Sequence, residues 1–199
     1  MLKEVPFYFV RHGETDWNLN RKAQGQIDIP LNATGIEQAR AAAEIVRGLG
    51  IRSICSSPLS RAYETARHAC DAAGCTITLV DELMECNLGA DEGRDGGDWF
   101  MDWREGRYLP DGAEVYEDFL SRALRGVNKA LEAEGPVLVV AHGGVFWSVL
   151  RHARIDSIPY AMNGQVMRLD PPGGERTHWH AEALTGAAIP LRPSSETRS

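Results

Sequence analysis

Arg11 and His12 end an apolar run, Phe7 to Val10, and precede Gly13; far along the chain His142 ends a second run and precedes Gly143 and Gly144. Arg61 stands in Ser-Ser-Pro-Leu-Ser-Arg-Ala, just past a third run at 51–56. Arginine's planar fork matches phosphate oxygens two at a time and stays charged, while glycines let backbone N–H groups approach an anion. A neutral imidazole can attack phosphorus, and positive neighbours offset the charge on the equatorial oxygens; losing one such donor typically costs about 3 kcal/mol of barrier. Any one of these residues alone is more often a surface hydrogen bonder. Two guanidiniums and two imidazoles brought together predict a phosphoryl site.

Convergence requires a scaffold that ends several strands at one edge. Apolar runs at 6–11, 51–56, 75–80 and 136–142 read as strands, the last buried on both faces, with weaker strands near 164–169 and 177–183. Helical stretches separate them. Thr34 with Glu37 reads as a capping box for a helix toward Gly48, and Ser57-Pro58 as the cap of a helix ending near Gly74. A short aromatic helix is expected around 98–105, a longer one over 114–132 from the spacing of Val115, Phe119, Ala123, Val127 and Leu131, and another over 143–153. Such alternation predicts an α/β fold, a three-layer αβα sandwich with a mostly parallel central sheet and helices on both faces. Ligands of these sheets bind beyond the carboxyl ends of the strands, where Arg11, His12, Arg61 and His142 all fall.

Composition sets the outer limits. With 199 residues, 43% of them hydrophobic and 25% charged, the chain suits one domain, expected over 1–186, with 187–199 a flexible tail. A net charge of −7 argues against general affinity for nucleic acid or anionic membrane, so any anion site must be local. Four cysteines without a C-x-x-C pair indicate neither zinc nor a disulfide framework; with no apolar stretch of membrane length, a cytoplasmic location is expected. His178 and His180 share a face of the last expected strand but have no third ligand at zinc-like spacing, and read as ordinary histidines.

The motifs RHGET at 11–15 and AHGG at 141–144, with SSPLSRA between them, resemble the histidine phosphatase superfamily, which includes phosphoglycerate mutases and many small-molecule phosphatases. The resemblance spans residue 6 to about 170 and implies a phosphoglycerate mutase-like fold. It implies that His12 is the nucleophile that becomes phosphohistidine, and that Arg11, Arg61 and His142 complete the phosphate pocket. Asn18, Gln24, Gly25 and Gly143 match positions lining the same pocket. Glu85 in LMECNLG matches the family's proton donor, with Glu82 as a near rival. Two departures stand out: Val115 where the P-x-G-E-S element carries serine, and Asp91 where an aromatic residue precedes Glu92-Gly93. The implied mechanism uses no metal and no cofactor, and the arginines beside His12 are expected to hold its pKa below the usual value of about 6.5.

Several readings compete. Cys55 to Arg61 fits C-x5-R, the signature of cysteine-dependent phosphatases, but Pro58 removes a donor from that loop and it contains no glycine. Phosphoglycerate mutase chemistry is the second rival; those enzymes carry a longer, basic insertion, whereas the segment between Glu85 and His142 holds Asp91, Glu92, Asp95, Asp98 and Asp102. A phosphate-binding module without turnover is the third. Hydrolysis of a small-molecule phosphomonoester, with inorganic phosphate as product, is the reading favoured. The acidic stretch is expected to disfavour highly anionic substrates unless Arg94, Arg104 or Arg107 point inward, and Trp99, Phe100, Trp103 and Tyr108 are either packing or a lid. Exposed apolar helix positions leave a homodimer open.

Overall fold

The computed structural model describes residues 1–155 and 161–184. The tail expected at 187–199 lies outside the described residues. In chain order the elements are β1 (Phe7–Arg11), α1 (Asp16–Leu19), α2 (Ala33–Val46), β2 (Ser53–Ser56), α3 (Ser60–Ala73), β3 (Ile77–Leu79), α4 (Asp98–Arg104), α5 (Tyr116–Ala130), β4 (Val137–Ala141), α6 (Gly143–Ala153), β5 (Val166–Asp170) and β6 (His180–Leu184).

Six strands form one sheet in the order β3-β2-β4-β1-β5-β6. The pairs β2–β3, β2–β4 and β1–β4 are parallel, while β5 runs antiparallel to β1 and β6 antiparallel to β5. Alternating side chains divide the core between the two faces, as a period of two requires. Val137, Val139 and Ala141 of β4 join Phe7 and Phe9 against α5 and α6. Leu138 and Val140 join Val10 and Ile54 against α2 and α3. Every residue of β4 is buried, so each of its branched side chains contributes about 1.5–3 kcal/mol of transfer free energy. The three-layer α/β sandwich inferred from the alternating pattern is thus the observed one.

Two helix starts differ from expectation. Asn32, not Thr34, caps α2: its Oδ1 accepts from Gly35 N at 2.8 Å, and its amide nitrogen is held by Glu14 Oε1. At α3 the helix begins at Ser60, and Leu59 in the N-cap position offers no side-chain bond. Asp28 caps it from a distant loop, accepting from Ser60 N at 2.8 Å. Ser57 lies ahead of the cap: its hydroxyl accepts from Leu59 N at 3.3 Å and also faces His142, as described below. The C-terminal stop of α3 falls where expected, with Gly74 in the left-handed conformation. Only His180 of the pair His178/His180 belongs to β6; His178 lies before the strand and contacts Thr177. Among the described residues no helix is long and apolar enough to cross a membrane.

Candidate active site

The parallel pairing of β1 with β4 brings the two histidines together. Arg11 stands in register with Ala141, and His12 N donates to Ala141 O at 3.0 Å, so each chain leaves the sheet with an imidazole at the same height. The ring centroids are 5.1 Å apart. Both rings are buried. His12 Nδ1 lies 2.6 Å from Gly13 O; a carbonyl can only accept, so Nδ1 carries the proton and Nε2 keeps its lone pair. Burial is the main force holding the His12 pKa well below its usual value, with Arg61 and Arg11 adding to it and the Gly13 bond opposing. The arginines anticipated from sequence are therefore the lesser cause. His142 is depressed for the same reasons, burial first and Arg61 next. Its Nε2 meets Ser57 Oγ at 2.8 Å, and its buried Nδ1 has no hydrogen-bond partner among the described residues.

Arg61 reaches the same point from the first turn of α3. It is fully buried, and its two terminal nitrogens donate to Ile27 O at 3.0 Å and Gly25 O at 2.7 Å, while Nε has no partner among the described residues. Burial lowers the Arg61 pKa, opposed first by Glu85. The loop that receives Arg61 is held by Glu92, whose carboxylate accepts from the N–H groups of Gln26, Ile27 and Leu88 at 2.8, 3.0 and 3.1 Å. Gly25 has φ +56°, and a Cβ there would sit 2.1 Å from Glu92 Oε1, so only glycine fits. Arg11 extends from β1 and donates to Ala161 O at 3.0 Å.

Asn18 and Gln24 complete the near wall. Thr15 caps α1 in a reciprocal box with Asn18, and Thr15 Oγ1 also lies 2.9 Å from Gln24 Oε1. Asn18 Oδ1 accepts from Thr15 N at 3.2 Å and from Asn163 Nδ2 at 3.3 Å. With both amide oxygens committed, the NH2 ends of Asn18 and Gln24 are the groups left to donate to an anion. Gly143 opens α6, where first-turn N–H groups have no intrahelical acceptor. Two expected amide donors are otherwise engaged: Gly13 N donates to Thr65 Oγ1 at 3.1 Å, and Gly144 N to Glu85 Oε2 at 3.1 Å.

Glu85 is therefore fixed from two sides, since Cys86 N also donates to its Oε1 at 3.0 Å. A Cβ at position 144 would lie 2.2 Å from that oxygen, which explains a glycine in the first turn of a helix. Behind Glu85, Arg122 on α5 donates to the carbonyls of Glu82, Met84 and Glu85 and forms a two-pronged pair with Glu114 at 2.7 and 2.8 Å. Glu82 instead pairs with Lys129 at 3.2 Å, on the surface side of the same turn. Val115, in place of the expected serine, is the half-exposed residue before α5 and leaves Glu114 to anchor the segment.

Beyond Glu85 opens a cavity of about 80 Å3, lined by Phe100, Trp103, Tyr116 and Trp147. In the aromatic segment Trp99 is buried in the core, Trp103 is both buried there and part of the cavity lining, Phe100 lines the cavity, and Tyr108 turns outward to Asp91. Arg94 pairs with Asp91, and Arg107 with Asp102 and Glu105. Cys55, by contrast, sits within β2 on the face packed against α5, its thiol directed to Ala130 O, and burial pushes its pKa up. A thiol in that state is a poor nucleophile.

Sequence reasoning missed Ser57, Thr65, Arg122 and Asn163. Asn163 donates to His12 O at 3.0 Å and approaches Gly13 O and Asn18 Oδ1 at 3.4 and 3.3 Å, so it braces the turn that holds the His12 ring. The one legible signal among these contacts was local: Thr15 and Asn18 have the spacing of a capping pair.

Comparison with known proteins identifies the family. Residues 7–176 match the sequence description of the histidine phosphatase superfamily, branch 1. The chain is 42% identical over 149 residues to a probable phosphoglycerate mutase of Enterobacter sp. (strain 638), covering 68% of each chain. It is 40% identical over 147 residues to an uncharacterised phosphatase of Bacillus subtilis (strain 168), covering 71% of this chain and 73% of that one. Among solved structures, a mycobacterial glucosyl-3-phosphoglycerate phosphatase complexed with VO3 superposes with a TM-score of 0.75 at 25% identity, over 91% of this chain and 98% of the other. With that span of sequence matched, the chain belongs to the histidine phosphatase superfamily.

Proposed function

We propose that the protein hydrolyses small-molecule phosphomonoesters through a phosphohistidine formed on His12 Nε2. The observation that carries this reading is the protonated Nδ1 held by Gly13 O at 2.6 Å, which leaves a buried, neutral ring with its lone pair on Nε2 beside two guanidiniums. Arg11, Arg61 and His142, with the NH2 ends of Asn18 and Gln24 and the N–H of Gly143, are assigned to the phosphoryl oxygens.

In the first half-reaction Nε2 attacks phosphorus, the ester P–O bond breaks, and Glu85 gives its proton to the departing alkoxide. In the second, Glu85 removes a proton from water as the water oxygen bonds to phosphorus. The N–P bond breaks, releasing inorganic phosphate and restoring the neutral imidazole. General acid–base help of this kind contributes typically 10²–10⁴-fold. The acidic residues between Glu85 and His142 and the small cavity beside Glu85 support hydrolysis over transfer to a second substrate.

The test compares His12→Ala with Cys55→Ser on p-nitrophenyl phosphate. The expected result is loss of turnover in the first variant only. Release of inorganic phosphate without added bisphosphoglycerate supports hydrolysis. Isomerised phosphoglycerate without phosphate release would assign the site to mutase chemistry.

A further inference from the structure

Cys70 and Cys75 are two thiols that the phosphoryl site does not use; they lie at the opposite end of α3 from Arg61. On a continuous helix side chains meet at a separation of three or four residues, so this pair would point apart. The helix stops between them. Gly74 takes φ +70°, its N–H donates to Cys70 O at 2.8 Å, and the chain folds back over the last turn of α3. At such an ending the residue after the left-handed glycine packs against the residue four before it, usually as an apolar contact. Here both positions are cysteine.

The contacts bring the two sulfurs together. Cys70 Sγ donates to Cys75 O, and the two thiols lie within hydrogen-bonding reach of each other. Both are half-buried, so a small reagent can meet them from solvent. The remaining cysteines are buried: Cys55 directs its thiol to Ala130 O, and Cys86 sits beside Glu85 with its pKa pushed far up, chiefly by burial. Accessible, adjacent thiols are thus confined to the end of α3.

We propose that Cys70 and Cys75 form a dithiol/disulfide site that takes a small-molecule disulfide as its oxidant. One cysteine thiolate attacks a sulfur of the small disulfide, forming a mixed disulfide and expelling one small thiolate. The second cysteine thiolate attacks the protein sulfur of that mixed disulfide, closing the Cys70–Cys75 bond and expelling the other. The protein gives up two electrons and two protons, and the oxidant takes up both as two small thiols. Burial first, and then the neighbouring Cys70, push the Cys75 thiol up, so its thiolate is scarce at neutral pH and closure accelerates as pH rises. Because the native turn already holds the pair together, closure is favoured in the folded protein over the unfolded chain.

The probe is dithiodipyridine, whose released thiopyridone is counted by absorbance. The folded wild-type protein should release two equivalents per chain and end lighter by two hydrogens, with no pyridyl adduct. Cleavage at Asp71, between the two cysteines, should then give fragments that separate only after reduction. Cys70→Ser and Cys75→Ser should each keep a pyridyl adduct on the remaining cysteine of the pair. Adducts retained on the wild type, or a link through Cys55 or Cys86, overturn the proposal, and the wild-type measurements decide it without either variant. Equilibration with reduced and oxidised glutathione separates native proximity from nearness in sequence: the ratio of disulfide to dithiol should be about tenfold higher in the folded protein than in concentrated urea. An equal or lower ratio in the folded protein overturns the proposal. None of these readouts depends on turnover.

Discussion

Asn163 exemplifies a residue whose importance comes entirely from groups it touches at long range. Its amide braces the His12 and Gly13 carbonyls and the oxygen of Asn18, three groups about 150 positions away in sequence. Nothing in its own neighbourhood marks it, and the same is true of Thr65, which occupies the Gly13 N–H. Arg11, His12 and His142 were legible because they end apolar runs and so announce a strand end, and Arg61 because it stands in Ser-Ser-Pro-Leu-Ser-Arg-Ala just past another. Asn163→Ala should weaken the binding of inorganic phosphate about tenfold by freeing the Asn18 amide, and the Asn18→Ala/Asn163→Ala double variant should bind no more weakly than Asn18→Ala. Isothermal titration of the four proteins measures this. Additive losses would mean that Asn163 acts independently of Asn18.

Among the elements, strands were easier to read than helix starts. The buried run of β4 and the Gly74 stop of α3 follow from local chemistry, whereas the caps of α2 and α3 were displaced because Glu14 holds Asn32 at the start of α2 and Asp28 reaches Ser60 N from a distant loop. The position of Glu85 depends likewise on packing between elements. Its carboxylate takes the Gly144 N–H at the start of α6, while Arg122 on α5 holds the carbonyls behind it. Gly144→Ala should therefore displace Glu85 and lower kcat by about 10²-fold or more. The two variants Glu85→Gln and Gly144→Ala should show similar losses in single-turnover assays. Retained kcat in Gly144→Ala would show that the carboxylate position is not set by this contact.

For the whole molecule, two buried histidines with depressed pKa values tie stability to pH. The folded state keeps both rings neutral, while an unfolded histidine takes up a proton near pH 6.5, so the unfolded state binds more protons below that value. Stability from these groups is complete above about pH 6.5 and declines as the solution is acidified, by up to about 1.4 kcal/mol per pH unit for each histidine until the folded pKa is reached. Urea unfolding midpoints at pH 7.5, 6.5 and 5.5 should fall at the acid end. His142→Gln should make the decline shallower. A slope unchanged by that substitution would contradict the assignment of a neutral, buried His142.

The central claim is that the phosphoryl group passes through His12 Nε2. Rapid quench of the wild-type protein with a 32P-labelled phosphomonoester should trap an acid-labile, base-stable label on the peptide containing His12, and His12→Ala should trap none. Label on the peptide containing Cys55, or full-rate turnover by His12→Ala, would contradict the account.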